Sequence, residues 1–175
     1  MLQTDFRSVE VRHARSGDAD AIAQVHVASW QSAYAGLVPA AYLEGLNWRT
    51  AAERWRRRLG RPQAGEVVLT ARSAAGTVGF ASVGPARDGA EPGDFELYAL
   101  YVLPEAWRSG VGRALLAASL SEVPSQTERV TLWVLSDNHR ARSFYVNQGF
   151  IADGATKTIS VGGAELVEVR YFTAQ

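Results

Sequence analysis

Apolar residues along the chain switch between strand-like and helix-like spacing, and each switch marks an element. Val9 to Arg15 reads as a first strand. Ser16-Gly17-Asp18 then supplies a turn residue and a capping acid for a helix running toward Tyr34. Gly36 and Pro39 interrupt that pattern. Trp48, Ala52, Trp55 and Leu59 recur at helical spacing, predicting one apolar stripe on a second helix that ends at Gly60 and Pro62. Two β-rich runs follow, Glu66 to Ser73 and Thr77 to Val83, joined through Ala74-Ala75-Gly76. Gly84 to Gly93, rich in glycine and proline, is a loop.

From Phe95 to Val102 both alternating faces are apolar, with Phe95, Leu97, Ala99 and Tyr101 on one and Tyr98, Leu100 and Val102 on the other. Such a strand is central and covered on both sides. After Pro104 the run Trp107-Arg108-Ser109-Gly110-Val111-Gly112 leads into a helix whose expected sheet-facing stripe is Gly112, Leu116, Leu120 and Val123. Arg129 to Leu135 is the next strand, and Ser136-Asp137-Asn138 offers three capping residues before a helix that stops at Gly149. Phe150 to Ser160 and Leu166 to Phe172, separated by Gly162-Gly163, close the chain as a strand pair. The pattern is that of one α/β domain spanning 1–175, without repeats or heptads.

Composition narrows the chemistry. The 175 residues contain no cysteine, which removes disulfides, thiolate nucleophiles and zinc–thiolate sites. Eighteen basic and eighteen acidic residues cancel to a formal net charge of +0, so no global footprint for nucleic acid or an anionic membrane exists. The scattered His13, His26 and His139 have no metal-ligand spacing, and no metal is expected. Met1-Leu2-Gln3-Thr4-Asp5 lacks a signal pattern, and a cytoplasmic location is the expectation.

A buried strand that enters a helix through two glycines leaves several backbone N–H groups unpaired and pointing one way, reinforced by the helix dipole. That arrangement is a phosphate socket. A side chain at Gly110 or Gly112 would hold phosphate oxygens away, and Arg108 and Arg113 add charge at the rim. Close packing of the helix on the sheet is an equally good reason for two glycines. A dinucleotide fingerprint needs a small residue where Leu115 stands, although Asp137 could mimic its ribose-binding acid; a Walker loop needs a lysine that is absent nearby.

Leu100-Tyr101-Val102-Leu103-Pro104, Gly110-Val111-Gly112, Asn138 through Tyr145 and Gly149-Phe150 together resemble, in order, the acetyl-CoA signature of the GCN5-related N-acetyltransferase (GNAT) superfamily. The resemblance covers the second half of the chain; the first half matches in element order. It implies a single-domain, mostly antiparallel sheet of about seven strands flanked by about four helices, splayed between strands 4 and 5, where coenzyme A would lie. It further implies that the backbone of Leu100, Tyr101 and Val102 pairs with the pantetheine arm and that the amides of Arg108, Ser109, Gly110, Val111, Gly112 and Arg113 hold the pyrophosphate. Asn138 would touch the pantetheine and Tyr145 would sit at the sulfur. Trp107 departs from the pattern, since relatives place Gln or Arg there. Many relatives pair, so a homodimer is possible on this resemblance.

Acetyl transfer to an amine needs a deprotonated nitrogen, a stabilised oxyanion and a proton for the departing thiolate. Tyr145 retains a proton that it could give to sulfur. Glu96, the one evident carboxylate on the motif strands, is the candidate base, on the face expected to hold Tyr98, Leu100 and Val102. Each residue also has a plain structural reading: a core aromatic for Tyr145, an N-cap for Asn138, an ion pair for Glu96. In enzymes that the sequence resembles, the first two helices and their connection form the acceptor wall, so the resemblance implies Trp30 and Tyr34, with Gly36, Leu37 and Val38, in that place, while the same residues at helical spacing also read as plain core. The arginines around Trp55 read as the solvated face of a helix. The reaction expected is direct acetyl transfer from acetyl-CoA to a primary amine of a small molecule or peptide, the alternative being a non-catalytic acyl-CoA sensor.

Overall fold

In a computed structural model describing residues 8–87, 91 and 93–174, the β-rich runs form one seven-stranded sheet. The expectation for Met1 to Asp5, and residues 88–90 and 92 of the predicted loop, lie outside the described residues. The strands are β1 (Glu10–His13), β2 (Val67–Ser73), β3 (Gly76–Pro85), β4 (Phe95–Val102), β5 (Arg129–Leu135), β6 (Ile151–Val161) and β7 (Ala164–Ala174). Their order is β1-β2-β3-β4-β5-β7-β6, and every pairing is antiparallel except β4 with β5.

Five α-helices are present among the described residues, against the four expected: α1 (Ala19–Ala33), α2 (Ala40–Glu44), α3 (Trp48–Gly60), α4 (Val111–Ser121) and α5 (His139–Asn147). The extra one, α2, is a single turn following Pro39, too short to leave a periodic signature in the sequence. On α3, Ala52 and Trp55 are buried as the stripe predicts. Most of its arginines face out, but Arg58 turns inward to the buried Glu66 and donates to Ser82 Oγ at 2.9 Å.

Two details of packing correct the sequence pattern. The fully buried residues of α4 are Val111, Leu115, Leu116 and Ser119; of the predicted Gly112, Leu116, Leu120 and Val123, Leu116 is fully buried and Leu120 and Val123 pack half-buried against the same core. Leu115 is drawn in because β3 offers a flat spot at Gly79, where Leu115 Cδ1 approaches to within 2.9 Å of where a Cβ would stand. Burying Leu115 there contributes about 1.5–3 kcal/mol.

The second correction concerns β4. Its register with β3 jumps from Ser82↔Ala99 to Val83↔Leu97, so Tyr98 is a bulge residue. A bulge inserts one residue and exchanges the two faces beyond it. Leu97, Leu100 and Val102 all join the core under α4, whereas Ala99 and Tyr101 pack toward α1 and α3. Glu96 therefore shares the face of Tyr101, not that of Leu100 and Val102. The displaced Tyr98 ring covers Gly84, and its hydroxyl donates to the Pro85 carbonyl at 2.5 Å.

Candidate active site

Parallel pairing of β4 with β5 is confined to Phe95↔Val130 and Glu96↔Thr131. Beyond those pairs β5 stays with β7 along its whole length, through Leu135↔Glu168, while β4 stays with β3. The sheet thus opens into a wedge whose narrow end is at Glu96. Leu103 N–H donates to Val78 O at 2.8 Å, and antiparallel alternation then turns the main-chain groups of Tyr101 toward β3 and those of Leu100 and Val102 toward the wedge. Val102 O is already taken by Ser29 Oγ (3.0 Å) and Trp107 Nε1 (2.8 Å). On the strand, Leu100 therefore presents the main-chain groups best placed for a ligand, and Tyr101 contributes its side chain.

At the wide end of the wedge lies the turn into α4. Gly110 is the N-cap, in the left-handed region at φ 97°, and Arg108 is held at φ 61°. The first turn-closing bond is Ala114 N–H to Gly110 O at 3.0 Å, so the amides of Val111, Gly112 and Arg113 fall outside the helix ladder. Ser109 Oγ braces the turn by donating to Ala106 O at 2.6 Å. A Cβ at Gly112 would meet only ordinary contacts, Phe144 at 3.6 Å and Leu100 at 3.8 Å. Close packing, the alternative reason for that glycine, is therefore not what the site requires.

Cations border the turn. The Arg140 guanidinium lies 3.3 Å from the Trp107 ring centroid, and burial followed by the charge of Arg108 lowers its pKa. Trp107 replaces a polar residue expected from the resemblance, yet it has two structural jobs: it tethers the end of β4 and carries Arg140. Arg108 and Arg113 are exposed.

Across the wedge, Asn138 caps α5, its Oδ1 accepting from Ala141 N–H at 3.1 Å. The structural reading of Asn138 is thus present, and no described residue accepts from its Nδ2 amide. Tyr145 is buried, its ring edge-on to Phe144 and Phe150. No described residue hydrogen-bonds its hydroxyl, which is unusual for a buried tyrosine. Burial, then proximity to Tyr101, raises its pKa well above the normal phenol value. Complete proton loss to a thiolate would consequently run uphill, so the phenol suits hydrogen-bond donation, or relay of a proton it simultaneously regains.

Tyr34 and Tyr101 complete a group of three phenols with Tyr145. Burial first, then Tyr101, raises the Tyr34 pKa well above its usual value; burial also raises Tyr101. Trp30 stands edge-on to Tyr34 with centroids 4.8 Å apart, and its buried Nε1 lies near the Tyr101 hydroxyl without a well-formed hydrogen bond among the described residues. His26 stacks on Tyr101 at 5.3 Å and is kept neutral down to about 4 by burial and by Arg54 and Arg58. Tyr34 is therefore close enough to feel the charge of Tyr145, and Trp30, Tyr34 and Val38 of the expected acceptor wall pack in one cluster.

Glu96 is almost fully buried and saturated. Its Oε1 accepts from Arg87 Nη2 at 2.5 Å, and its Oε2 from Arg87 N–H at 3.1 Å and Nε at 3.2 Å. The expected base is thus a paired carboxylate at the closed end of the wedge. Sequence reasoning missed Glu168, Arg140 and the structural work of Trp107; an acid inside Leu166-Val167-Glu168-Val169 was the visible signal for the first.

Comparison with known proteins agrees with this geometry. The model of the acetyltransferase (GNAT) family matches residues 24–150. The chain belongs to that family. It is 39% identical over 132 residues to an uncharacterized N-acetyltransferase, YuaI, of Bacillus subtilis (strain 168), covering 74% of this chain and 73% of that one. It is 29% identical over 155 residues to a probable N-acetyltransferase, Rv2775, of Mycobacterium tuberculosis, covering 86% and 84%. In fold it matches the PaiA N-acetyltransferase of Thermoplasma acidophilum, solved in complex with coenzyme A, with a TM-score of 0.75 and 22% identity over 96% of this chain and 99% of that one. This GNAT chain is an N-acetyltransferase, with the splayed β4–β5 sheet expected of it. Among its described residues no helix is long and apolar enough to cross a membrane.

Proposed function

We propose that this enzyme takes acetyl-CoA as donor and moves the acetyl group directly to a primary amine of a small molecule or peptide. The observation that carries the reading is the departure of β4 from β5 after Glu96, which leaves the Leu100 backbone turned toward the wedge on the strand that runs into the uncommitted amides at the start of α4. An extended pantetheine could add to β4 as a strand, and a diphosphate suits the amides of Arg108 to Arg113. Arg140 and Arg108 supply charge at that mouth. Asn138 Nδ2 would meet the pantetheine chain. A thioester bound this way would supply the activated acyl carbon.

Tyr145, whose hydroxyl bonds to no described residue and which burial holds protonated, donates a hydrogen bond to the departing sulfur. The amine approaches from the side of Trp30, Tyr34 and Tyr101, whose aromatic faces can hold a cation before it loses its proton. The absence of cysteine favours direct transfer without an acetyl-cysteine relay.

The test is release of free thiol from acetyl-CoA with a panel of alkylamines, arylalkylamines and short peptides. Amine-dependent thiol release with matching N-acetylated product is expected. Tight acetyl-CoA binding with no such release would make the protein an acyl-CoA sensor.

A further inference from the structure

We infer that Glu168 on β7 is the catalytic residue that takes the proton from the acceptor ammonium. The inference rests on the acyl-transfer reading and replaces Glu96 in that role. Two carboxylates approach the wedge, and they differ in what already holds them. Glu96 has both oxygens filled by Arg87 at the closed end. Among the described residues Glu168 has one ion pair, a long one to Lys157 Nζ at 3.6 Å. Its oxygens are the less committed pair.

Register places Glu168 where an acceptor would arrive. It stands opposite Leu135 of β5 and opposite Lys157 of β6. Leu135 lies as far beyond Thr131 as Leu100 lies beyond Glu96, so Glu168 is level with the part of β4 that has swung away. On this face Leu135, Ile159 and Leu166 pack with Val38 and Leu43, and Tyr34 joins the same cluster. Glu168 therefore borders the aromatic wall rather than open surface.

Every element around it contributes a charged or titratable group. Lys157 on β6 pairs with it; Tyr34 at the end of α1 and Tyr101 on β4 feel its charge; Glu96 on β4 and Arg87 just after β3 act on it in turn. Arg170, its neighbour along β7, is engaged with Asp153 at 2.7 Å. Burial is the largest influence and raises the Glu168 pKa above the usual carboxylate range, with the Lys157 charge opposing. A raised carboxylate is a better match to an ammonium than an ordinary one.

The protons balance. Glu168 takes the first from the ammonium, and the neutral nitrogen forms its bond to the thioester carbon as the carbon–sulfur bond breaks. The second nitrogen proton replaces the one that Tyr145 passes to sulfur. Glu168 then returns its proton to water, leaving amide and free thiol.

The experiment compares kcat/KM against pH for Glu168→Gln, Glu96→Gln and the unaltered protein, using acetyl-CoA and the most active amine of the panel. In the unaltered enzyme the rate should rise with pH through the raised Glu168 pKa, because only the carboxylate accepts a proton. Glu168→Gln should lose that limb and about 10²-fold or more in kcat/KM. Its acetyl-CoA affinity, measured by calorimetry, should stay within twofold, and Glu168→Asp should recover part of the rate. An unchanged profile in Glu168→Gln, or loss of the limb in Glu96→Gln instead, overturns the inference while leaving acyl transfer intact. No amine-dependent thiol release from the unaltered enzyme overturns both.

Discussion

Gly79 and Gly112 border the same helix, and the contrast between them separates what packing requires from what a ligand requires. A Cβ at Gly79 would stand 2.9 Å from Leu115 Cδ1, closer than folded proteins allow, and 3.0 Å from Tyr101 O, a tight approach to backbone. A Cβ at Gly112 would stand 3.6 Å from Phe144 and 3.8 Å from Leu100, at ordinary contact distance. Gly79 is small because α4 rests on it. Gly112 has no such reason inside the protein, and it occupies the first turn of α4, among the helix amides without intrahelical partners. On the acyl-transfer reading proposed above, the space kept there is for the coenzyme's diphosphate.

The sharpest way to extend this contrast is to separate binding from chemistry. Tyr145 lies one residue beyond Phe144, the side chain that faces Gly112. Tyr145→Phe removes a hydroxyl that hydrogen-bonds to no described residue, so stability should change little. Turnover should fall about 10²-fold or more, the usual contribution of a positioned proton donor, with calorimetric acetyl-CoA affinity nearly unchanged. Turnover equal to the unaltered enzyme would take Tyr145 out of the reaction.

Next in size is Gly112 itself. Gly112→Ala should weaken acetyl-CoA at least tenfold, about 1.4 kcal/mol, and Gly112→Val should weaken it further. The thermal midpoint of the alanine variant should hold or rise, since alanine is the better helix former. Unchanged affinity with a lowered midpoint would show that the glycine serves packing after all.

What the sequence disclosed follows the same division. Gly110 and Gly112 stand at the turn from β4 into α4, and Asn138 and Tyr145 at the start and within the helix that follows β5, so two consecutive strand, turn and helix units carry them in the order of the signature that the sequence resembles. The acceptor side is assembled from distant segments. Tyr34 comes from the end of α1, Tyr101 from β4 and Glu168 from β7, and nothing local tells that β7 lies next to β5 rather than at the sheet edge. The β4 bulge at Tyr98 was equally hidden, because an apolar strand on both faces shows no break in alternation when one residue is inserted. That single residue moved Glu96 from the Leu100 face to the Tyr101 face. The stripe of α4 was anticipated at Leu116 but not at Val111 and Leu115, because the feature that draws Leu115 in, the missing side chain at Gly79, belongs to another strand.

The smallest expected effect on function, and the control on the whole contrast, is Gly79→Ala. The new methyl must displace Leu115 or push β3 from α4, and overpacking of this kind costs about 1–3 kcal/mol. For a chain of this length that corresponds to a fall of roughly 2–12 °C in the thermal midpoint. Gly79 pairs with Val102 on the β3 side of β4, while the ligand-facing groups of Leu100 point the other way. The folded fraction should therefore bind acetyl-CoA with affinity within about threefold of the unaltered protein, a difference of roughly 0.7 kcal/mol. Calorimetry below the lowered midpoint reads that number directly. A Gly79→Ala protein that keeps its midpoint but loses the coenzyme would mean that α4 slides on the sheet to absorb the methyl, carrying its amides out of place. Stability and binding would then be one property of the helix–sheet contact, and the two glycines would differ only in degree.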